Sequence, residues 1–206
     1  MRFNRQSTFW GKRMKLGYLV IILACFSLSG CAGLMVAGAA TGAAASQDRR
    51  TVPTQLEDEN IEIKTVTALF KNDELWQDTN IDVISYNMIV LLIGQAPTAS
   101  LKEKAFAEVK KIPKVRNVYN QIRIAAPISF FAKSNDKYLT SKVKSSMLFA
   151  DNFPSGKIKV VTENSEVFLL GLVTKEEADK AVEIARNIGG VSRVVKVFEI
   201  IKDIEN

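Results

Sequence analysis

An α+β fold built twice is what this sequence predicts: two tandem small domains, each ordered α-β-β-α-β, with two helices over one face of a three-stranded mixed sheet. Three observations carry that expectation. The first is an internal repeat. Ile81-Asp82-Val83, Asn87 and Val90-Leu91-Leu92-Ile93-Gly94 recur as Ile158-Lys159-Val160, Asn164 and Val167-Phe168-Leu169-Leu170-Gly171, at a constant offset of 77 residues (158 − 81). Downstream the offset becomes 76 (191 − 115), pairing Ala105 with Ala181, Val115 with Val191 and Val118 with Val194. The second is the change of hydrophobic period inside each copy, from helical spacing to strand-length runs and back. The third is length: behind a leader of 30 residues, 176 remain (206 − 30), room for two small domains.

Each unit opens on an amphipathic helix, near residues 58–71 and 136–150. Two short strands follow, joined by a tight turn at Tyr86-Asn87 or Asn164-Ser165, where asparagine tolerates a left-handed backbone. The second helix of the second copy starts on a capping box, Thr174-Lys175-Glu176-Glu177, and turns Ala178, Ala181, Val182, Ala185 and Ile188 inward. The last strand alternates through Val191, Val194 or Val195, Val197 and Ile200. Gly94 and Gly171, at the ends of the second strands, read as structural glycines that mark a bulge or a close backbone approach. The domains span 54–124 and 135–203, with a linker over 125–134.

Ahead of the repeats, Arg2, Arg5, Lys12, Arg13 and Lys15 precede an uncharged, mostly apolar stretch, 16–28, that closes on Leu28-Ser29-Gly30-Cys31. A basic segment, an apolar segment and small residues at the cut define a secretory signal peptide, residues 1–30. The closing run resembles the lipobox of bacterial lipoproteins. That resemblance implies cleavage before Cys31, lipidation of its sulfur, acylation (a palmitate-type modification) of the new amino terminus, and, from Ala32, placement at the outer membrane facing the periplasm. Three acyl chains exceed the two signals that stable anchoring needs. A start at Met14 in place of Met1 gives the signal a more ordinary length. The stretch between Lys15 and Asp48 has no charge and is long enough to span a bilayer, but 32–46 is mostly alanine and glycine, which fits a tether (31–53) better than a membrane helix.

Removing the leader removes five cations from a net charge of +6, leaving about +1 (6 − 5). The mature chain then gives no electrostatic reason to bind nucleic acid. It has no histidine, hence neither the commonest general base nor the commonest metal ligand, and Cys31 is consumed by lipid. The acidic run Glu57, Asp58, Glu59 and Glu62 reads as favourable charge at a helix start, with calcium binding as the other reading. No enzymatic activity, metal, cofactor or small-molecule substrate is expected.

The first helices of the two units differ most. The first carries four acids against Lys64 and Lys71, a net of −2 (2 − 4); the second carries Lys133, Lys137, Lys142 and Lys144 against Asp136, a net of +3 (4 − 1). Leu139, Val143, Met147 and Ala150 make a core stripe on the second helix, so Tyr138, Leu148 and Phe149 point elsewhere among lysines, the pattern of a membrane-surface helix. Lys137, Tyr138, Lys142, Lys144, Leu148 and Phe149 are therefore the candidate phospholipid-binding residues. About 1 kcal/mol per charge near an anionic surface and about 1.5–3 kcal/mol per buried large side chain give weak binding that a lipid tether makes effective. The competing reading packs these side chains against the first domain; Ile128, Phe130 and Phe131 of the linker are too apolar for a free tether, so the linker either packs on one domain or lies near the membrane.

The repeated unit, with its glycine-ended strand (Val90 to Gly94; Val167 to Gly171) and valine-rich final strand, resembles the BON domain. A lipobox followed by two such units is similar to the dual-BON outer-membrane lipoproteins. The resemblance implies phospholipid binding, a role in cell-envelope integrity, enrichment at division sites and association with the outer-membrane β-barrel assembly machinery. The other function class is a protein-interaction adaptor whose acidic first domain, or an exposed strand edge, docks on that envelope assembly machinery.

Overall fold

Hydrophobic runs at the centre of each repeat organise the molecule. The computed structural model describes residues 48–202, and Gln47–Asn206 forms one compact unit. Cys31 and the signal segment lie outside the described residues. In chain order come helix α1 (Val52–Phe70), a short helix α2 (Asp73–Asp78), strands β1 (Asn80–Tyr86) and β2 (Ile89–Ala96), helix α3 (Ala99–Lys110), and strands β3 (Asn117–Asn120) and β4 (Arg123–Ile124). The second half follows with helix α4 (Phe130–Leu148), a 3-10 turn (Ser155–Lys157), strands β5 (Ile158–Glu163) and β6 (Glu166–Val173), helix α5 (Lys175–Arg186) and strand β7 (Arg193–Ile200).

Both sheets place the second strand in the middle. β1 pairs antiparallel with β2, and β3 and β4 run parallel to β2; β5 and β7 flank β6 in the same way. The architecture is the expected α+β one. Each hairpin turns on two residues at positive φ, Asn87-Met88 and Asn164-Ser165, as type I′ turns require. The first turn thus sits one residue beyond Tyr86-Asn87, because Tyr86 pairs with Ile89 and is the last residue of β1.

Gly94 lies at φ +109°, and a Cβ there would stand 2.0 Å from the Asn80 carbonyl oxygen. The parallel partner is interrupted at the level of this kink, which separates β3 from β4. At Gly171 a Cβ would come within 2.7 Å of the Lys157 carbonyl oxygen, but φ is not positive there and β7 runs unbroken.

Several boundaries move. α1 starts at Val52, before residue 58, because Thr51 caps it by accepting from the Thr54 amide and Pro53 suits the first turn. Residues 52 and 53 therefore belong to the fold and not to the tether. The acids at 57–62 lie mid-helix, so the helix dipole does not account for them. α4 starts at Phe130 because Ser129 caps it by accepting from the Ala132 amide, which takes 130–134 out of the linker.

β2 and β6 are buried on both faces. Val90 and Leu92 point to a cluster with Ile61, Leu69, Ala105 and Val109 of the overlying helices. Val167 and Leu169 do the same with Val143, Met147, Ala181 and Ala185. The alternate residues, Leu91 and Ile93 of one sheet and Phe168 and Leu170 of the other, join Ile84, Tyr86 and Val197 in a third cluster. The two sheets therefore pack face to face, giving a helix–sheet–sheet–helix order with α1 and α4 on opposite outer layers. Polar contacts rim the seam: Gln95 with Glu163, Lys159 with Glu62 at 3.2 Å, and Arg116 with Glu199 at 3.0 Å.

The residues just before α1 are fastened across that seam. Arg49 donates to the Leu172 carbonyl at 3.0 Å and pairs with Glu177. Arg50 pairs with Asp48 and Asp58 and lies 3.9 Å over the Tyr86 ring. Burial alone would raise the Glu177 carboxyl, but hydrogen bonds from Arg49 and Lys157 hold it down at about 2. Burial pushes the Tyr86 phenol up to about 12 and moves the Glu163 carboxyl upward as well.

Candidate functional site

The rotation of α4 decides which side chains the molecule shows. Leu139, Val143 and Met147 face the core. Asp136, buried beside them, accepts from the Asn164 and Ser165 amides of the β5–β6 turn at 2.7 and 2.8 Å. Those two bonds tie the helix to its hairpin and fix the opposite side toward solvent.

On that outer side Tyr138 is 60% exposed, Leu148 65% and Phe149 82%. None of the three packs against the first domain, which meets the second through the sheets. Phe130 and Phe131 are 78% and 83% exposed, with ring centroids 6.2 Å apart. Helical spacing places Phe131, Tyr138, Lys142 and Phe149 along one side of the helix, and Phe130, Lys137, Lys144 and Leu148 along the next. Lys142 Nζ stands 5.5 Å from the Tyr138 ring centroid, while Lys133 is drawn off to Asn80 Oδ1 of the first domain at 2.7 Å.

All six candidate residues thus gather on one helix surface. Phe130 and Phe131 join them although their linker position in the sequence hid it; the signal that places them on the helix is Ser129 in the capping position. Ile128 stays half-buried, its amide donating to Gln95 Oε1 at 3.3 Å. The surface combines exposed aromatic and aliphatic groups with a net charge of +3 over α4 (4 − 1). Chemically it can partition into an anionic interface. No helix among the described residues is long and apolar enough to cross a membrane.

The acidic run on α1 is mostly spent on structure. Asp58 is buried and accepts from the Asn87 and Met88 amides, Ser85 Oγ and Arg50. It does for the first hairpin what Asp136 does for the second. Glu57 pairs with Lys114, and Glu62 accepts from the Ser85 amide and Lys159. Among the described residues no group of three potential ligands is placed to hold a metal ion. Sequence reasoning missed this pair of hairpin locks; an aspartate repeated at nearly the offset of the turns was the available signal.

Comparison with known proteins matches the BON domain family over residues 57–126 and 135–202. The chain is 39% identical over 180 residues, 87% of its length and 93% of the relative's, to "Outer membrane lipoprotein DolP" of Haemophilus influenzae. It is 39% identical over 155 residues, 75% and 80% of the two chains, to a 21 kDa hemolysin of Actinobacillus pleuropneumoniae. It is 29% identical over 142 residues, 68% and 70% of the two chains, to "Osmotically-inducible protein Y" of Escherichia coli.

Proposed function

From the premise that this chain belongs to the BON domain family and is an outer-membrane lipoprotein, like the relative it matches over most of its length, we propose that it supports envelope integrity without catalysis, by binding anionic phospholipid through α4. Lipidation at Cys31 belongs to the same reading. The observation that carries it is the outer side of α4, where five large apolar side chains stand exposed among lysines. Burying them in the headgroup region gains the apolar transfer energy, and the lysines add about 1 kcal/mol each near an anionic surface.

Sedimentation of the body, residues 47–206, with vesicles containing or lacking phosphatidylglycerol tests the proposal. That body contains the three apolar clusters described above. Salt-sensitive binding to the anionic vesicles is expected. Lys142→Glu with Lys144→Glu takes α4 from +3 to −1 (3 − 4) and should weaken binding by about 4 kcal/mol, roughly three orders of magnitude. Undiminished binding by that variant, or none by the parent to either vesicle, overturns the reading. The adaptor reading, with the first domain docked on the β-barrel assembly machinery, draws on the exposed apolar residues of acidic α1. The same double variant would leave that docking intact.

A further inference from the structure

The free edges of the two hairpins are finished differently. In each, the pair beside the two-residue turn, Tyr86 with Ile89 or Glu163 with Glu166, is the hydrogen-bonded kind. Alternation along the strand then turns the amides and carbonyls of Ser85 in β1, and of Val160 and Thr162 in β5, outward to the edge. In the first half this edge is closed beside the turn. The Ser85 amide donates to Glu62 Oε1 at 2.7 Å, and the Ser85 carbonyl accepts from Lys159 Nζ at 3.5 Å.

The second half has neither device. Thr140 stands where Glu62 does, four residues after the aspartate that locks the hairpin, and its hydroxyl donates to the Thr162 hydroxyl at 2.8 Å, leaving the Thr162 amide aside. The outward amides and carbonyls of Val160 and Thr162 have no partner among the described residues. Yet these two residues are only 3% and 8% exposed, a setting in which main-chain groups are almost always paired. They border a cleft of about 400 Å³ between α4 and β5, walled by Lys133, Lys137 and Ser141 and lined also by Asp82 of β1.

Main-chain groups select the occupant. A row of alternating donors and acceptors along a strand edge is matched by the main chain of another extended segment, group for group. A lipid headgroup offers no such repeat. We propose that the cleft between α4 and β5 receives an extended segment of a partner polypeptide, which pairs with Val160 and Thr162 as a fourth strand of the second sheet. This does not rest on the lipid reading, which uses the outer side of α4; Lys137 alone is common to both.

Random octapeptides displayed on phage and selected on the body, residues 47–206, supply the probe. Enriched peptides are expected to shift the Val160 and Thr162 amides in NMR spectra and to protect them from hydrogen exchange. Thr140→Gln with Thr162→Ser gives the second half the arrangement of Glu62 and Ser85 without adding charge. It should seal the edge and weaken those peptides about tenfold or more. Thr162→Pro, which deletes the outward amide and is tolerated on an edge strand, should weaken them likewise. Thermal melts check that both variants fold. Their vesicle binding should equal the parent's, because Tyr138, Lys142, Lys144, Leu148 and Phe149 are untouched, so this proposal and the lipid reading fail separately. No enrichment on the parent, or enriched peptides that bind both variants as tightly as the parent, overturns the proposal. So does protection of the Thr162 amide in residues 32–206 without peptide, since the tether then fills the edge.

Discussion

Gly94 is the residue whose side-chain position is most tightly forbidden. Its positive φ and the Asn80 carbonyl oxygen 2.0 Å from a built Cβ give two separate reasons against any larger residue. Gly94→Ala should cost about 3 kcal/mol, and Gly171→Ala about half of that, since only the close approach applies there. Urea unfolding of the two variants checks the order. Glu163 makes the opposite case. Burial raises its folded pKa above the ordinary 4.5, so the folded state holds the proton more tightly, and stability is lost as pH rises from 4.5 through the folded value. Glu163→Gln keeps an acceptor for Gln95 and removes the charge. Thermal melts should show the variant more stable than the parent near neutral pH, with the gap closing below about pH 4, where the carboxyl is protonated in both states.

Helices and hairpins were legible in the sequence because their signals are local. The capping box at Thr174, the asparagines of the two turns and the core stripe of α4 lie within a few residues of what they determine. Helix starts are less legible: the acids at 57–62 suggest a start past the Thr51 cap, and Phe130 and Phe131 read with Ile128 as linker although Ser129 caps a helix there. What was not legible is the pairing between elements, above all the buried aspartates that join a helix to its hairpin. Asp58 and Asp136 set a comparison at this scale. Asp58→Ala strips partners from two amides, Ser85 and Arg50, and should cost about 3–5 kcal/mol. Asp136→Ala strips two amides and should cost about 1–3 kcal/mol. Equal losses in chemical denaturation would count against the hairpin locks as drawn.

At the scale of the whole molecule, the face-to-face sheets were half written in the sequence. Val90 to Ile93 and Val167 to Leu170 are unbroken apolar runs, which belong to strands covered on both faces; which surface covers the second face is a non-local fact that no run of residues states. Phe168 sits in that seam and is 1% exposed. Phe168→Ala should cost about 3–5 kcal/mol, and calorimetry should still show a single transition at a lower temperature, since the seam joins both domains. Two resolved transitions in the parent would mean that the halves fold independently.

The fastening of Arg49 and Arg50 across the seam has a mechanical meaning. Tension entering the body at Asp48 is divided at once, Arg50 passing it to the first domain through Asp58 and Arg49 passing it to the second through Glu177 and the Leu172 carbonyl. A pull on Asp48 therefore reaches the first domain through the backbone into α1 and the second through the side chain of Arg49.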